Sequence, residues 1–169
     1  LEDHQTLARV LDGFSTRCRG IVEGHHGSLI FAGGDDVLAL VPLHRALACA
    51  RDLAVDFEGA LRPVVRSNEV PTLSVGIAVT HCRELMGEAR GLAKQAEGDA
   101  KVLRNAVAVR VAKRSGGDLS LVGQWNEVQP LDGRMVAWLA ALDAGEISSK
   151  TAHDLEEIAA CLLYTSDAA

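Results

Sequence analysis

Aromatic residues are scarce in this chain: three Phe, two Trp and one Tyr make up 4% of 169 residues. Any core must be built from aliphatic side chains and alanine, and a hydrophobic content of 48% is enough for one domain plus a small appendage. Cysteines are few and far apart. Positions 18, 49, 82 and 161 form no CxxC pair and no Cys/His pair at zinc-finger spacing, so buried reduced thiols are expected instead. A basic excess is missing too. The net charge of −6 argues against a general nucleic-acid-binding surface. No uninterrupted apolar run is long enough to span a bilayer and no segment reads as a signal peptide, so the expected setting is the cytoplasm, without a membrane.

What is present centres on residues 28–42, Ser-Leu-Ile-Phe-Ala-Gly-Gly-Asp-Asp-Val-Leu-Ala-Leu-Val-Pro. The aliphatic runs Leu29–Ala32 and Val37–Val41 read as buried strands around a tight turn. Gly33 and Gly34 can both take positive φ there. Asp35 and Asp36 place two like charges side by side, which repel unless a cation sits between them. A hard divalent metal relieves that repulsion, because Mg²⁺ binds through one or two carboxylates plus substrate phosphates. The missing side chains of Gly33 and Gly34 let a triphosphate approach the backbone amides. The local chemistry therefore points to metal-assisted phosphoryl or nucleotidyl transfer, against the plain alternative of an exposed polar turn.

The rest of the chain supplies a scaffold. Leu7, Val10, Leu11, Phe14, Cys18, Ile21 and Val22 form one stripe of a helix over residues 4–23. His25 and His26 follow it and read as a solvated turn rather than a metal site. A second helix covers 43–61, and 62–71 reads as a surface loop. The strand Thr72–His81 carries Ser74, Gly76 and Ala78 on one face, which suits either a nucleotide pocket or close packing against a helix. His81 at its end reads as a rim residue. A third helix over 84–103 ends in Lys101, Arg104 and Asn105 and leads into the strand Ala106–Ala112. Cations at a helix end suit a triphosphate and also the helix dipole, so Lys101 is expected at phosphate. Arg110, Lys113 and Arg114 read as a solvated face. Ser115 to Asp118 reads as a plain hairpin into a strand 119–122, and 123–129 as a linker. Pro130 opens a helix closed by Gly145, and Ser148 opens another.

The order helix, strand, turn, strand, helix, strand, helix, strand is a ferredoxin-like split βαβ pattern without its first strand. The expected fold is α+β and ferredoxin-like, with an antiparallel sheet covered by helices on one face. The expected domains are this α+β domain over 1–122, the start of a helical domain over 123–160, and a tail at 161–169 that resembles translated adapter sequence. The first strand is expected to lie before Leu1.

Four stretches in order carry a family resemblance: Ala32-Gly33-Gly34-Asp35-Asp36-Val37-Leu38-Ala39-Leu40-Val41-Pro42; Ser74-Val75-Gly76-Ile77-Ala78-Val79-Thr80-His81; Ala100-Lys101 leading to Arg104-Asn105-Ala106-Val107-Ala108-Val109; and Lys113-Arg114-Ser115-Gly116. Together they resemble the second palm domain of the large subunit of type III CRISPR effector complexes, the type III-B form in particular. The resemblance implies a nucleotidyl cyclase/polymerase palm fold and conversion of ATP to cyclic oligoadenylate when guide RNA in the complex pairs with target RNA. It implies Asp35 and Asp36 as the catalytic metal-binding pair for Mg²⁺ or Mn²⁺. Gly33, Gly34, Ser74, Lys101 and Arg104 would then face the nucleotide, and the partners would be ATP, the other effector subunits, guide RNA and target RNA. The family's nuclease domain, first palm and zinc-binding region have no counterpart in these residues. Arg104 stands one residue nearer to Lys101 than in the bacterial diguanylate cyclases.

Two rival readings share the palm. A diguanylate cyclase has an acid followed by Glu-Phe at the turn, where this chain has Asp36-Val37. A palm kept as an inactive scaffold or nucleotide sensor would not need both carboxylates. A plain RNA-binding domain fits poorly with the net charge.

Overall fold

The computed structural model describes residues 2–65, 70–113, 118–148 and 150–151, with side chains from residue 4 onward. The chain divides into two compact units, Leu1–Leu131 and Asp132–Ala169.

In the first unit, α1 (Glu2–Gly24) buries Phe14, Cys18 and Val22 completely, the i, i+4, i+8 line of the sequence stripe. Leu7, at the stripe's N-terminal end, stays 38% exposed. α1 closes with His26 in the left-handed region, φ 58°, while Gly27 N–H returns to the Val22 carbonyl and His26 N–H to that of Glu23. That is a Schellman closure with His where glycine is usual. The chain then forms the antiparallel hairpin β1 (Ser28–Gly33) and β2 (Asp36–Leu40), with an irregularity between Leu29 and Phe31 that leaves Ile30 unpaired and 50% exposed. α2 (Leu43–Leu61) packs on α1, and the Phe14 and Phe57 rings meet edge to face with centroids 5.1 Å apart. Cys49, Leu53, Phe57 and Leu61 complete this aliphatic core.

β3 (Val75–Val79), α3 (Met86–Leu103) and β4 (Ala106–Val111) form a strand–helix–strand crossover, and β5 (Leu119–Gln124) pairs antiparallel with β4. α3 sets Ala96 and Ala100 against Ala106 and Ala108, so small side chains let the helix lie close to the sheet. The α+β class agrees with the sequence reading. The sheet differs in detail. Instead of one antiparallel sheet there is a two-stranded hairpin and a three-stranded mixed sheet of order β3-β4-β5. β3 and β4 run parallel because a helical crossover returns the chain in the same direction.

The segment 123–129, expected as a linker, places Gly123 and Gln124 in β5 and buries Trp125 to 6% exposure. In the second unit, α4 runs over Leu131–Asp143 from its start at the unit boundary, and Gly145 at φ 73° closes it. The Ser148 backbone N–H meets the Thr151 hydroxyl at 3.2 Å, an opening turn where the sequence suggested one. The remainder of that helix and the tail 161–169 lie outside the described residues.

Candidate functional site

The hairpin tip is a two-residue loop. Gly33 pairs with Asp36 across the ladder, and Gly34 alone takes positive φ, at 65°. That is the type II′ pattern, with glycine at the first loop position. A Cβ on Gly33 would sit 2.8 Å from the tip of the exposed Phe31 ring, which would have to turn aside. α1 anchors the tip from below. Ser15 Oγ lies within donating distance of two carbonyls, Leu11 at 3.1 Å in its own helix and Gly34 at 3.2 Å at the tip, and its single proton serves one at a time. Asp35 and Asp36 are left exposed at the end of β2.

Lys101, on the last turn of α3, is the sequence-predicted residue that the fold brings to these acids. Its ammonium is held above the ordinary lysine range, chiefly by its hydrogen bond to Glu97, which outweighs the burial penalty, with lesser help from attraction to Glu97, Asp36 and Asp35. The helix dipole adds to this, since a cation at a C-terminus faces unpaired carbonyls. Glu97 bridges two lysines, Lys101 Nζ at 2.5 Å on Oε1 and Lys94 Nζ at 3.0 Å on Oε2. Burial pushes the Glu97 carboxyl up, and the two lysine hydrogen bonds outweigh it, so it lies below its usual range.

Arg104 caps α3 with φ 57° and ψ 156°, a region suited to glycine, and Asn105 follows at φ 46°. Gln124 Nε2 donates to the Leu103 and Arg104 carbonyls at 3.0 and 3.3 Å, holding this bend. Ser74 is half-buried just ahead of β3, and among the described residues no hydrogen bond joins it to the turn. The small face of that strand does have a helix against it. A Cβ on Gly76 would lie 2.2 Å from the Glu97 nitrogen and 2.5 Å from the Ala93 carbonyl oxygen.

Several expectations change. Arg110 is not a solvated cation, since it pairs with Asp99 at 2.7 Å and Gln95 at 3.0 Å, tying β4 to α3. His25 is not solvated either. Its Nε2 lies 2.7 Å from Asp52 on α2, while its buried Nδ1 has no partner among the described residues. Cys18 and Cys49 are free and buried as expected, but Cys82 is free and exposed. His81 is exposed at the rim, its Nδ1 accepting from Arg83 N–H. Lys113 is exposed, and Arg114 lies outside the described residues.

Sequence reasoning missed Ser15 and Glu97. Ser15 lies on the helix stripe's flank, and a hydroxyl mid-helix gives no signal of what it meets. The i, i+4 spacing of Glu97 and Lys101 could have shown that pair.

Among the described residues no group of three or more His, Cys, Asp or Glu side chains could hold a metal. The donor set at the tip is two adjacent carboxylates. That set fits a hard ion whose remaining positions are filled by water and phosphate oxygens rather than by a closed protein cage. A shallow depression of about 540 Å³ lies elsewhere, between α1 and α2, lined by Gly20, Ile21, Gly24, His25, Asp52, Val55 and Asp56. No helix among the described residues is long and apolar enough to cross a membrane.

The family model described as Cas10/Cmr2, second palm domain, matches residues 1–108. The CRISPR system Cmr subunit Cmr2 of Pyrococcus furiosus is 34% identical over 134 residues, covering 71% of this chain and 14% of that protein. The chain thus spans about a seventh of the length of the curated relative that it matches.

Proposed function

We propose a nucleotidyl-transfer function from this premise: the chain belongs to the Cas10/Cmr2 second palm domain family. In this reading it is the palm of a CRISPR-system large subunit that converts ATP to cyclic oligoadenylate. The observation that carries the reading is the pair of exposed, adjacent carboxylates Asp35 and Asp36 at the tip of a tight glycine hairpin, with Lys101 of α3 near enough to feel their charge. Phosphate and a divalent ion together require that combination.

Asp35 and Asp36 would hold Mg²⁺ or Mn²⁺. When bound, the ion supplies charge neutralisation at the phosphates and lowers the pKa of the attacking ribose hydroxyl. The chain's own groups do the rest. The loop at Gly33 and Gly34 admits the triphosphate near the backbone. Lys101 stabilises the leaving pyrophosphate, and Arg104 adds positive charge from the α3 cap. Ser74 contributes a hydroxyl at the start of β3. Partner subunits, guide RNA and target RNA gate the site in the assembled complex, in the cytoplasm.

The test uses the full-length protein in its complex, with Asp35→Ala and Asp36→Ala combined. The expected result is loss of cyclic product with assembly intact. Normal synthesis by that variant would overturn the assignment. Offering ATP and GTP separately and identifying the product distinguishes oligoadenylate synthesis from diguanylate synthesis, and ATP binding without turnover would point to the sensor role.

A further inference from the structure

We infer that Glu97 is a positioning residue, whose carboxylate fixes the Lys101 ammonium for the phosphate tail of the nucleotide. This rests on the nucleotidyl-transfer reading above. Lys101 is exposed, with 60% of its side chain in solvent, and a free lysine there would sample many rotamers and lose that freedom when phosphate binds. Glu97 restricts it beforehand. The carboxylate is itself restrained, because Lys94 occupies the second oxygen at 3.0 Å while Lys101 occupies the first at 2.5 Å. The backbone beneath it is fixed as well. Gly76 on β3 lies so close to the Glu97 nitrogen that no side chain fits between them. An exposed ion pair alone is worth little, but a pair seated on a strand and shared by two lysines loses less entropy for each contact.

Holding Lys101 does not withdraw it from phosphate. An ammonium has three N–H donors, and Glu97 takes one, leaving two for pyrophosphate oxygens. The effect falls on orientation more than on attraction. Removing the Glu97 charge leaves two lysines unopposed, which favours anion binding while the reacting geometry loosens.

The experiment compares wild type, Glu97→Gln, Lys101→Ala and the double variant in the full-length protein within its complex. Glu97→Gln is expected to lower kcat for oligoadenylate synthesis by roughly fivefold to tenfold, with KM for ATP unchanged or lower. In the Lys101→Ala background the same substitution is expected to change nothing further. An unchanged kcat, or an equal loss in the Lys101→Ala background, overturns the inference. Acylation of Lys101 by an amine-reactive reagent, read by mass spectrometry, provides a second readout that needs no turnover. Glu97→Gln is expected to speed it, and an unchanged rate overturns the inference. If wild type makes no product, the nucleotidyl-transfer reading fails, and the labelling still decides whether Glu97 holds Lys101.

Discussion

The Ser15 hydroxyl and the Gly34 carbonyl lie 3.2 Å apart, a hydrogen bond that joins the middle of α1 to the tip of the β1–β2 loop. The two acids at that tip are exposed, so their position depends on the loop backbone and on what holds it. Ser15→Ala is expected to cost about 1 kcal/mol of stability in urea denaturation. It is also expected to weaken Mn²⁺ binding at Asp35 and Asp36, read by electron paramagnetic resonance titration of the full-length protein. Unchanged Mn²⁺ affinity would mean that the hairpin holds the acids without help from α1.

Gly76→Ala tests the seat of α3. The added methyl would meet backbone atoms, the Glu97 nitrogen at 2.2 Å and the Ala93 oxygen at 2.5 Å, and neither can rotate away. The helix must shift, at a cost of about 1–3 kcal/mol. The expected outcome is a lower thermal midpoint together with faster acylation of Lys101, because the helix that carries Lys101 moves.

Much of this was legible in the chain. The stripe through Phe14, Cys18 and Val22 gave α1, the paired aliphatic runs gave the hairpin, and Gly145 marked the end of α4, because each follows from local period or turn chemistry. The acids and Lys101 were readable as residue types at a turn and at a helix end. That they lie within electrostatic reach of one another was not, since it depends on how α3 crosses the sheet. Long-range partners were hidden for the same reason. Asp99 for Arg110 and Asp52 for His25 lie on other elements, and a cation or imidazole looks solvated until its partner is placed.

Trp125 is the clearest residue of this kind, a lone aromatic in a polar stretch that becomes a hub. Its ring NH donates to the Leu73 carbonyl at 3.3 Å, its backbone carbonyl accepts from Arg51 at 2.9 Å, and the Arg51 guanidinium lies 5.0 Å from the ring centroid. Trp125→Ala is expected to cost about 3–5 kcal/mol, measured by urea denaturation with far-ultraviolet circular dichroism. Trp125→Phe keeps most of the volume and leaves the Leu73 carbonyl without its donor, so a loss of about 1–2 kcal/mol is expected.

If Arg104 serves the proposed nucleotide site, it sets stability against function. Its φ of 57° with ψ of 156° strains any residue with a Cβ, by about 1–3 kcal/mol. Arg104→Gly is therefore expected to raise the thermal midpoint, while Arg104→Ala keeps the strain and does not. Both remove the charge and should weaken ATP binding by similar factors. A loss of stability in the glycine variant would show that the guanidinium outweighs the backbone cost.

The buried thiol of Cys18 makes stability fall at alkaline pH. Burial, with a contribution from Asp56, raises its pKa from 9.0 to about 11, and burial raises Cys49 as well. Below pH 9 the thiol is protonated in both folded and unfolded chains, so its stabilising term is fully present. Between pH 9 and 11 the unfolded chain releases the proton first, and stability declines with rising pH. The loss from Cys18 approaches about 3 kcal/mol once the folded-state pKa is passed. Cys18→Ala has a lower stability at neutral pH because it leaves a cavity, yet its decline between pH 9 and 11 is expected to be shallower than that of wild type. Denaturation midpoints across that window measure the difference, and equal slopes would place the alkaline sensitivity on other groups. At neutral pH the exposed Cys82 is expected to react with a thiol reagent while Cys18 and Cys49 stay protected, because reagent access and thiolate formation both require leaving the core.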